Sequence, residues 1–168
     1  MIPLDKLKRP LFIALLVGFG CAKPINDETL IDKDGLKYHP DTNELYSGKV
    51  FKNRMGGKKE FEGSYKDGKK NGLWTDYHEN GQKKSEGNHK DGKLDGLWTN
   101  WYENGQKSSE ITYKNGKQYI IRTYKDGKRE GFWTWWYANG QKFYEDIYKE
   151  GELIESKKWD RDGNLIED

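Results

Sequence analysis

Apolar positions along this chain are few, mostly aromatic, and set in the rhythm of strands rather than helices. From about residue 37 onward no stretch carries a helical period. Runs of about six to nine residues alternate with polar turns instead. Turn glycines fall at positions 68, 81, 92, 105, 116, 127, 140, 151 and 163. Asn-Gly and Asp-Gly tolerate the positive φ of a tight hairpin turn, so each marks a chain reversal. Segments starting at Gly72, Gly96 and Gly131 repeat one order of residues. Each has Trp and Thr two and three positions on, an aromatic-rich stretch, Asn-Gly-Gln-Lys, a glutamate (Glu86, Glu110, Glu145), and a second turn of the form Lys-(Asp/Asn/Glu)-Gly. Such self-similarity predicts two strands per unit of about 24 residues. The predicted fold is all-β: an antiparallel meander of β-hairpin repeats forming one open, twisted sheet of about a dozen strands.

The turns also predict the pairing. With Asn80-Gly81 at a hairpin tip, Thr75 opposes Glu86, and the same rule sets Thr99 opposite Glu110 and Thr134 opposite Glu145. Trp74 falls opposite Gly87, where an indole can lie over a position with no side chain. In the third unit Trp135 pairs with Tyr144 and Trp136 with Phe143. The step from Gly96 to Gly131 holds one strand too many, about Gln118 to Tyr124. An odd strand in a meander sends later turns to the opposite edge, so Asn139-Gly140 is expected across the sheet from Asn80-Gly81 and Asn104-Gly105. Upstream of residue 64 the pattern fades into a degenerate first unit (Tyr46 to Phe51, Met55 to Lys58). Lys158 to Ile166 reads as the closing cap.

The first twenty residues have a different character. Lys6, Lys8 and Arg9 precede an apolar run from Leu11 to Phe19, then Gly20 and Cys21, the single cysteine. The run is too short to span a bilayer, which takes about 20 residues, and the order charged, apolar, small is that of an export signal. A lone cysteine forms no internal disulfide. The order ending in Cys21 resembles a bacterial lipoprotein signal, which implies lipidation of Cys21 and anchoring in the cell envelope. Gly18-Phe19-Gly20-Cys21 departs from that pattern in lacking leucine three positions before the cysteine. Residues 21–36 read as a polar tether containing Pro24, and residues 37–168 as the repeat array.

Composition narrows the function. Charged residues make up 35% and aromatics 14%, so the core must come from aromatic rows rather than aliphatic bulk. Outside residues 1–20, basic and acidic side chains balance at 27 each. A phosphate-tracking surface shows a basic excess, so nucleic acid is not the expected partner. His78 and His89 occupy slots held by tyrosines in other units and read as aromatic substitutes; His39 beside Pro40 reads as a turn residue. No catalytic residue, metal ligand or cofactor site emerges. The recurring glutamates face threonines at one per unit, a structural spacing, and no calcium-loop motif is present. The Lys-rich turns read as charge that guards exposed strands.

The units Gly-x-Trp-x-x-(Trp/Tyr)-Tyr-x-Asn-Gly-Gln-Lys…Glu…Tyr-Lys-Asp-Gly-Lys-x-x-Gly resemble the bacterial variant of the MORN repeat, grouped with YwqK-type antitoxin proteins. The resemblance covers about residues 37–168. It implies a non-enzymatic protein-binding array, antitoxin- or immunity-like, with an unidentified protein as partner. A competing expectation is a cell-wall or glycan-binding module using exposed aromatics. Trp101, Trp135, Trp136 and Tyr137, where aromatics crowd both faces of one strand, are the candidate binding surface.

Overall fold

The computed structural model describes residues 23–166. Apart from a 3-10 turn (Asp27–Thr29), every regular element among them is a β-strand. The amino-terminal strands are β1 (Ile25–Asn26), β2 (Ile31–Lys33) and β3 (Leu36–Tyr38). The array continues with β4 (Gly48–Asn53), β5 (Lys59–Lys66), β6 (Lys69–Lys70), β7 (Gly72–Tyr77), β8 (Lys83–Lys90), β9 (Lys93–Trp101) and β10 (Lys107–Lys114). It ends with β11 (Lys117–Lys125), β12 (Lys128–Arg129), β13 (Gly131–Trp136), β14 (Lys142–Lys149), β15 (Glu152–Trp159) and β16 (Leu165–Ile166). One sheet runs in the order β1-β4-β5-β7-β8-β9-β10-β11-β13-β14-β15-β16, with β6 and β12 paired to β5 and β11. From β4 onward every pairing is antiparallel between successive strands, which is the predicted meander.

Two kinds of turn alternate, where the dipeptides suggested one. In the short turns both central residues have positive φ, as at Asp91 (51°) with Gly92 (82°), the geometry of a two-residue hairpin loop. In the Asn-Gly-Gln turns at Gly81, Gly105 and Gly140 only the glycine does, whereas Asn115-Gly116 is of the short kind. Gly81 N–H donates to the His78 carbonyl, His78 N–H donates to the Gln82 carbonyl, and Asn80 Oδ1 accepts from Gln82 N–H at 2.9 Å. The longer turn shifts the register beside it. Trp136 therefore pairs with Lys142 rather than with Phe143. Thr75–Glu86, Thr99–Glu110, Thr134–Glu145 and Trp135–Tyr144 pair as expected. Trp74 does oppose Gly87, yet its indole leans the other way, over Gly63, and Gly87 is covered by Trp98.

The odd strand has the expected effect and a second one. β11 is followed by the short turn at Asp126-Gly127, so Asn139-Gly140 lies on the edge opposite Asn80-Gly81 and Asn104-Gly105. The register also links Trp74, Gly87, Trp98, Ile111 and Ile121 to Thr134 and Glu145 along one face. The tryptophan row thus changes face: Trp74 and Trp98 stand on one side, Trp133 on the other. Handedness requires this. A chiral unit that keeps its direction of travel while its strands reverse must make a half-turn about that direction, which exchanges faces as well as edges.

The ends differ from expectation. From Ile25 the stretch read as a tether packs on the array: β1 pairs with β4 in parallel, and Leu30 joins a buried cluster with Tyr46, Val50, Tyr65 and Trp74. Scattered apolar residues in a polar run, Ile25 and Leu30, suffice because the first strand of an array needs a cover. The export signal and Cys21 lie outside the described residues. At the other end β15 is solvent-exposed along nearly all its length, and β16 pairs only with Lys158 and Trp159.

Candidate functional site

Each hairpin builds the same polar hub around its glutamate. Lys83 Nζ lies 2.5 Å from Glu86, whose carboxylate also accepts from Thr75 Oγ1 at 3.2 Å. The same lysine sits over the Trp101 ring of the next unit, 5.9 Å from its centroid. Lys59–Glu62–Tyr77, Lys107–Glu110–Tyr124 and Lys142–Glu145–Trp159 repeat the arrangement. Where the aromatic is tyrosine, its hydroxyl donates to the glutamate: Tyr77 to Glu62 at 2.5 Å and Tyr124 to Glu110 at 3.0 Å. The Lys59 and Tyr77 hydrogen bonds hold Glu62 below the usual carboxylate range. Burial would raise Glu110, but the bonds from Lys107 and Tyr124 prevail and lower it. Burial, then the neighbouring glutamate, pushes both tyrosines up to about 12. These carboxylates are committed to bonds that join one unit to the next, and the Glu62 hub belongs to the unit whose sequence pattern had faded.

The aromatic rows do the same, each tryptophan standing on the face opposite its own unit's hub. Tyr65, Trp74, His89 and Trp98 follow one another edge to face at 5.3, 5.9 and 5.5 Å. From the odd strand onward a second row runs on the other face: Tyr124 meets Trp133 edge to face at 5.4 Å, and Tyr148 lies tilted against Trp133 at 5.3 Å. His89 stands in a tyrosine slot, as read from the sequence. His78 places Nε2 2.8 Å from the Trp101 carbonyl, where Tyr102 and Tyr137 donate hydroxyls to Tyr124 and Trp159 carbonyls.

The four candidate binding residues do not converge. Trp101 lies on the face opposite Trp98, inside the Lys83 hub. Trp135 shares a face with Trp133 and packs edge to face on Tyr144 at 5.6 Å. Trp136 points to the other face, and Tyr137 stacks on Phe143 at the turn, 4.9 Å apart. All four are half-buried.

The exposed apolar surface lies beside them instead. Leu73, Leu97 and Phe132 hold the same unit position and are 54%, 49% and 55% exposed. Because the tryptophan row changes face at the odd strand, Trp133 does not continue the Trp74–Trp98 row, and beyond Trp98 that face carries the half-buried Trp136 in place of a buried indole. A groove of about 620 Å3 opens there, lined by Ile121, Thr123, Phe132, Thr134 and Trp136, with Lys142 and Glu145. Phe132 carries a signal the sequence did show, the bulky residue before Trp133. Its place in a groove depends on the change of face, which the repeat count alone did not reveal. Among the described residues, no group of three or more His, Cys, Asp or Glu side chains could hold a metal.

The array is an open, single-layer meander of hairpins in which each unit sets its glutamate hub and its tryptophan on opposite faces, an architecture consistent with MORN repeats. Residues 70–91, 94–115 and 129–150 each match the family model described as the MORN repeat variant. These segments are the hairpins β7–β8, β9–β10 and β13–β14, and β11 falls between the second and the third. No curated protein matches the chain.

Proposed function

We propose that this protein is a non-enzymatic, lipid-anchored envelope protein whose repeat array holds a protein partner. The observation that carries the reading is the groove at the odd strand, where Phe132 stands 55% exposed between Ile121 and Trp136. Exposed apolar surface of this kind, rimmed by Lys142 and Glu145, suits contact with another protein. The antitoxin-like role implied by the resemblance is the specific form of this reading, with a toxin as the partner. Anchoring rests on the run from Lys6 to Cys21. A glycan platform would need its aromatics on one surface, and Trp101, Trp135, Trp136 and Tyr137 are spread over both faces.

Crosslinking in intact cells, followed by mild-detergent purification, tests the partner. A protein recovered with the native chain and lost with Phe132→Ser supports the reading. Recovery of peptidoglycan or glucan instead, unaffected by Phe132→Ser, overturns it. Metabolic labelling with a fatty acid, lost in Cys21→Ser, tests the anchor separately.

A further inference from the structure

Three turns of this array carry Asn-Gly-Gln-Lys, and the fold treats one of them differently. Asn80 and Asn139 each have both ends of the side-chain amide occupied. Oδ1 accepts from the backbone N–H two residues on, at 2.9 and 3.1 Å. Nδ2 donates to a carbonyl of the neighbouring turn, Asn80 to Glu103 at 2.7 Å and Asn139 to Arg161 at 2.8 Å. Asn104 keeps the first bond, 3.0 Å to Gln106 N–H, but its Nδ2 reaches only the Gln106 side chain at 3.4 Å. The cause is the odd strand. On this edge the next turn is the two-residue loop at Asp126-Gly127, too short to present a carbonyl to Asn104. A cleft of about 420 Å3 lies in its place, lined by Tyr102, Glu103, Asn104, Gln106, Lys125 and Asp126.

From this we infer that Asn104 is a site of spontaneous deamidation, favoured over Asn80 and Asn139 by the fold itself. The Gly105 nitrogen attacks the Asn104 side-chain carbonyl carbon. The new N–C bond closes a succinimide, the C–Nδ2 bond breaks, and ammonia leaves with the proton given up by Gly105. Water from the open cleft then hydrolyses the ring to aspartate or isoaspartate. The attacking nitrogen is held alike in all three turns, donating at 2.9 Å to His78, Tyr102 or Tyr137. The carbonyl carbon must swing toward it, and only at Asn104 does no neighbouring turn hold the amide back. The product adds a negative charge beside Glu103. In its isoaspartyl form it lengthens the backbone and disrupts the turn at the odd strand. Asn115-Gly116 is a two-residue loop with Asn115 itself at positive φ, and Asn71 joins β6 to β7, so neither shares the backbone of these three turns.

The chain contains its own control. Residues 79–83 and 103–107 are the same five residues, Glu-Asn-Gly-Gln-Lys, so any difference in rate between Asn80 and Asn104 comes from the fold. The folded protein is aged in mildly alkaline buffer and digested, and the turn peptides are resolved by mass spectrometry, with an isoaspartyl methyltransferase assay alongside. A parallel sample is aged in denaturant. Deamidation at Asn104 several-fold faster than at Asn80 and Asn139 in the folded chain, with Asn80 and Asn104 equal in denaturant, is the expected result. Equal rates at Asn80 and Asn104 in the folded chain, or a difference that persists in denaturant, overturn the inference.

Discussion

The stretches before and after β11 are built from the same unit and differ in how their aromatic rows end. In the first, Trp74 is 3% exposed beneath a row that begins at Tyr46 and is covered by Leu30 and Ile25. In the second, Trp133 is 8% exposed, and its row stops at Tyr148 because Ser156 stands where the next tryptophan would. The first seats its indoles on glycine: a Cβ added at Gly63 or Gly87 would overlap the Trp74 or Trp98 ring. The second has Arg122 in that place, 5.6 Å from the Trp133 ring centroid, while Arg129 at 4.6 Å matches Lys70, which lies 4.1 Å from the Trp74 centroid in the first. At the point where the array turns over, the glycine seat is thus exchanged for a second cation–π contact, that of Arg122. One unit can serve both halves because contacts in such an array are made mainly between neighbours.

The sharpest way to break the comparison is to remove each indole. Trp74→Ala and Trp133→Ala are each expected to cost about 3–5 kcal/mol, the range for a buried aromatic. The damage should stay local. Trp133→Ala should strip hydrogen-exchange protection from β13 to β15 while leaving β5 to β8 protected. Trp74→Ala should release the amino-terminal cover as well. Equal loss of protection in both halves after either substitution would mean that β11 joins them into one cooperative body.

Next in size is the seat beneath the ring. Gly63→Ala or Gly87→Ala should cost about 1–3 kcal/mol, because the indole above must shift. Arg122→Ala, at the equivalent place, should cost about 0.5–1 kcal/mol through lost cation–π contact. Chemical denaturation of the three variants decides this. A mild Gly63→Ala would show that the ring does not depend on its seat.

The turn-to-turn bonds come third. Asn80→Ala removes a donor to Glu103 that Asn104→Ala has no counterpart for, so it should be the more destabilising by about 0.5–1.5 kcal/mol. Matching losses in the two variants would leave the neighbouring-turn bond without energetic weight.

What could be read from the sequence follows from where each determinant sits. Hairpins, their order and most cross-strand partners were legible, because Asn-Gly and Asp-Gly dictate reversals locally. Trp136 and Phe143 failed to pair because the same dipeptide serves two turn geometries, and the difference lies in whether the asparagine itself takes positive φ. The lean of Trp74 toward Gly63 depends on which side of a strand a large ring finds space, and pairing rules do not state it. The exchange of edges followed from counting strands. The exchange of faces needed the chirality of the unit as well, and with it went the groove at Phe132. Ile25 and Leu30 were passed over because a cover two residues long has no period to detect.

The smallest expected effect separates the halves by pH. His89 stands between Trp74 and Trp98, nine residues before Trp98, as Tyr124 stands nine before Trp133. Burial lowers the His89 pKa, and the nearby Lys70 ammonium, itself lowered by burial, adds to the shift, while Asp76 opposes it. A histidine whose folded pKa is depressed binds its proton more readily in the unfolded chain. Stability is therefore full above the ordinary histidine value of 6.5 and declines as pH falls from there toward the folded pKa. The tyrosine in the equivalent slot of the second half, Tyr124, is pushed up to about 12 and takes no part in this window. Acidification below pH 6.5 should loosen β7 to β9 before β13 and β14, and His89→Tyr, the residue other units use, should abolish the difference. Hydrogen exchange at two pH values, corrected for intrinsic rates, reads this directly. A native chain that loosens evenly across both halves, or a His89→Tyr chain that keeps the asymmetry, would place the acid-sensitive group elsewhere.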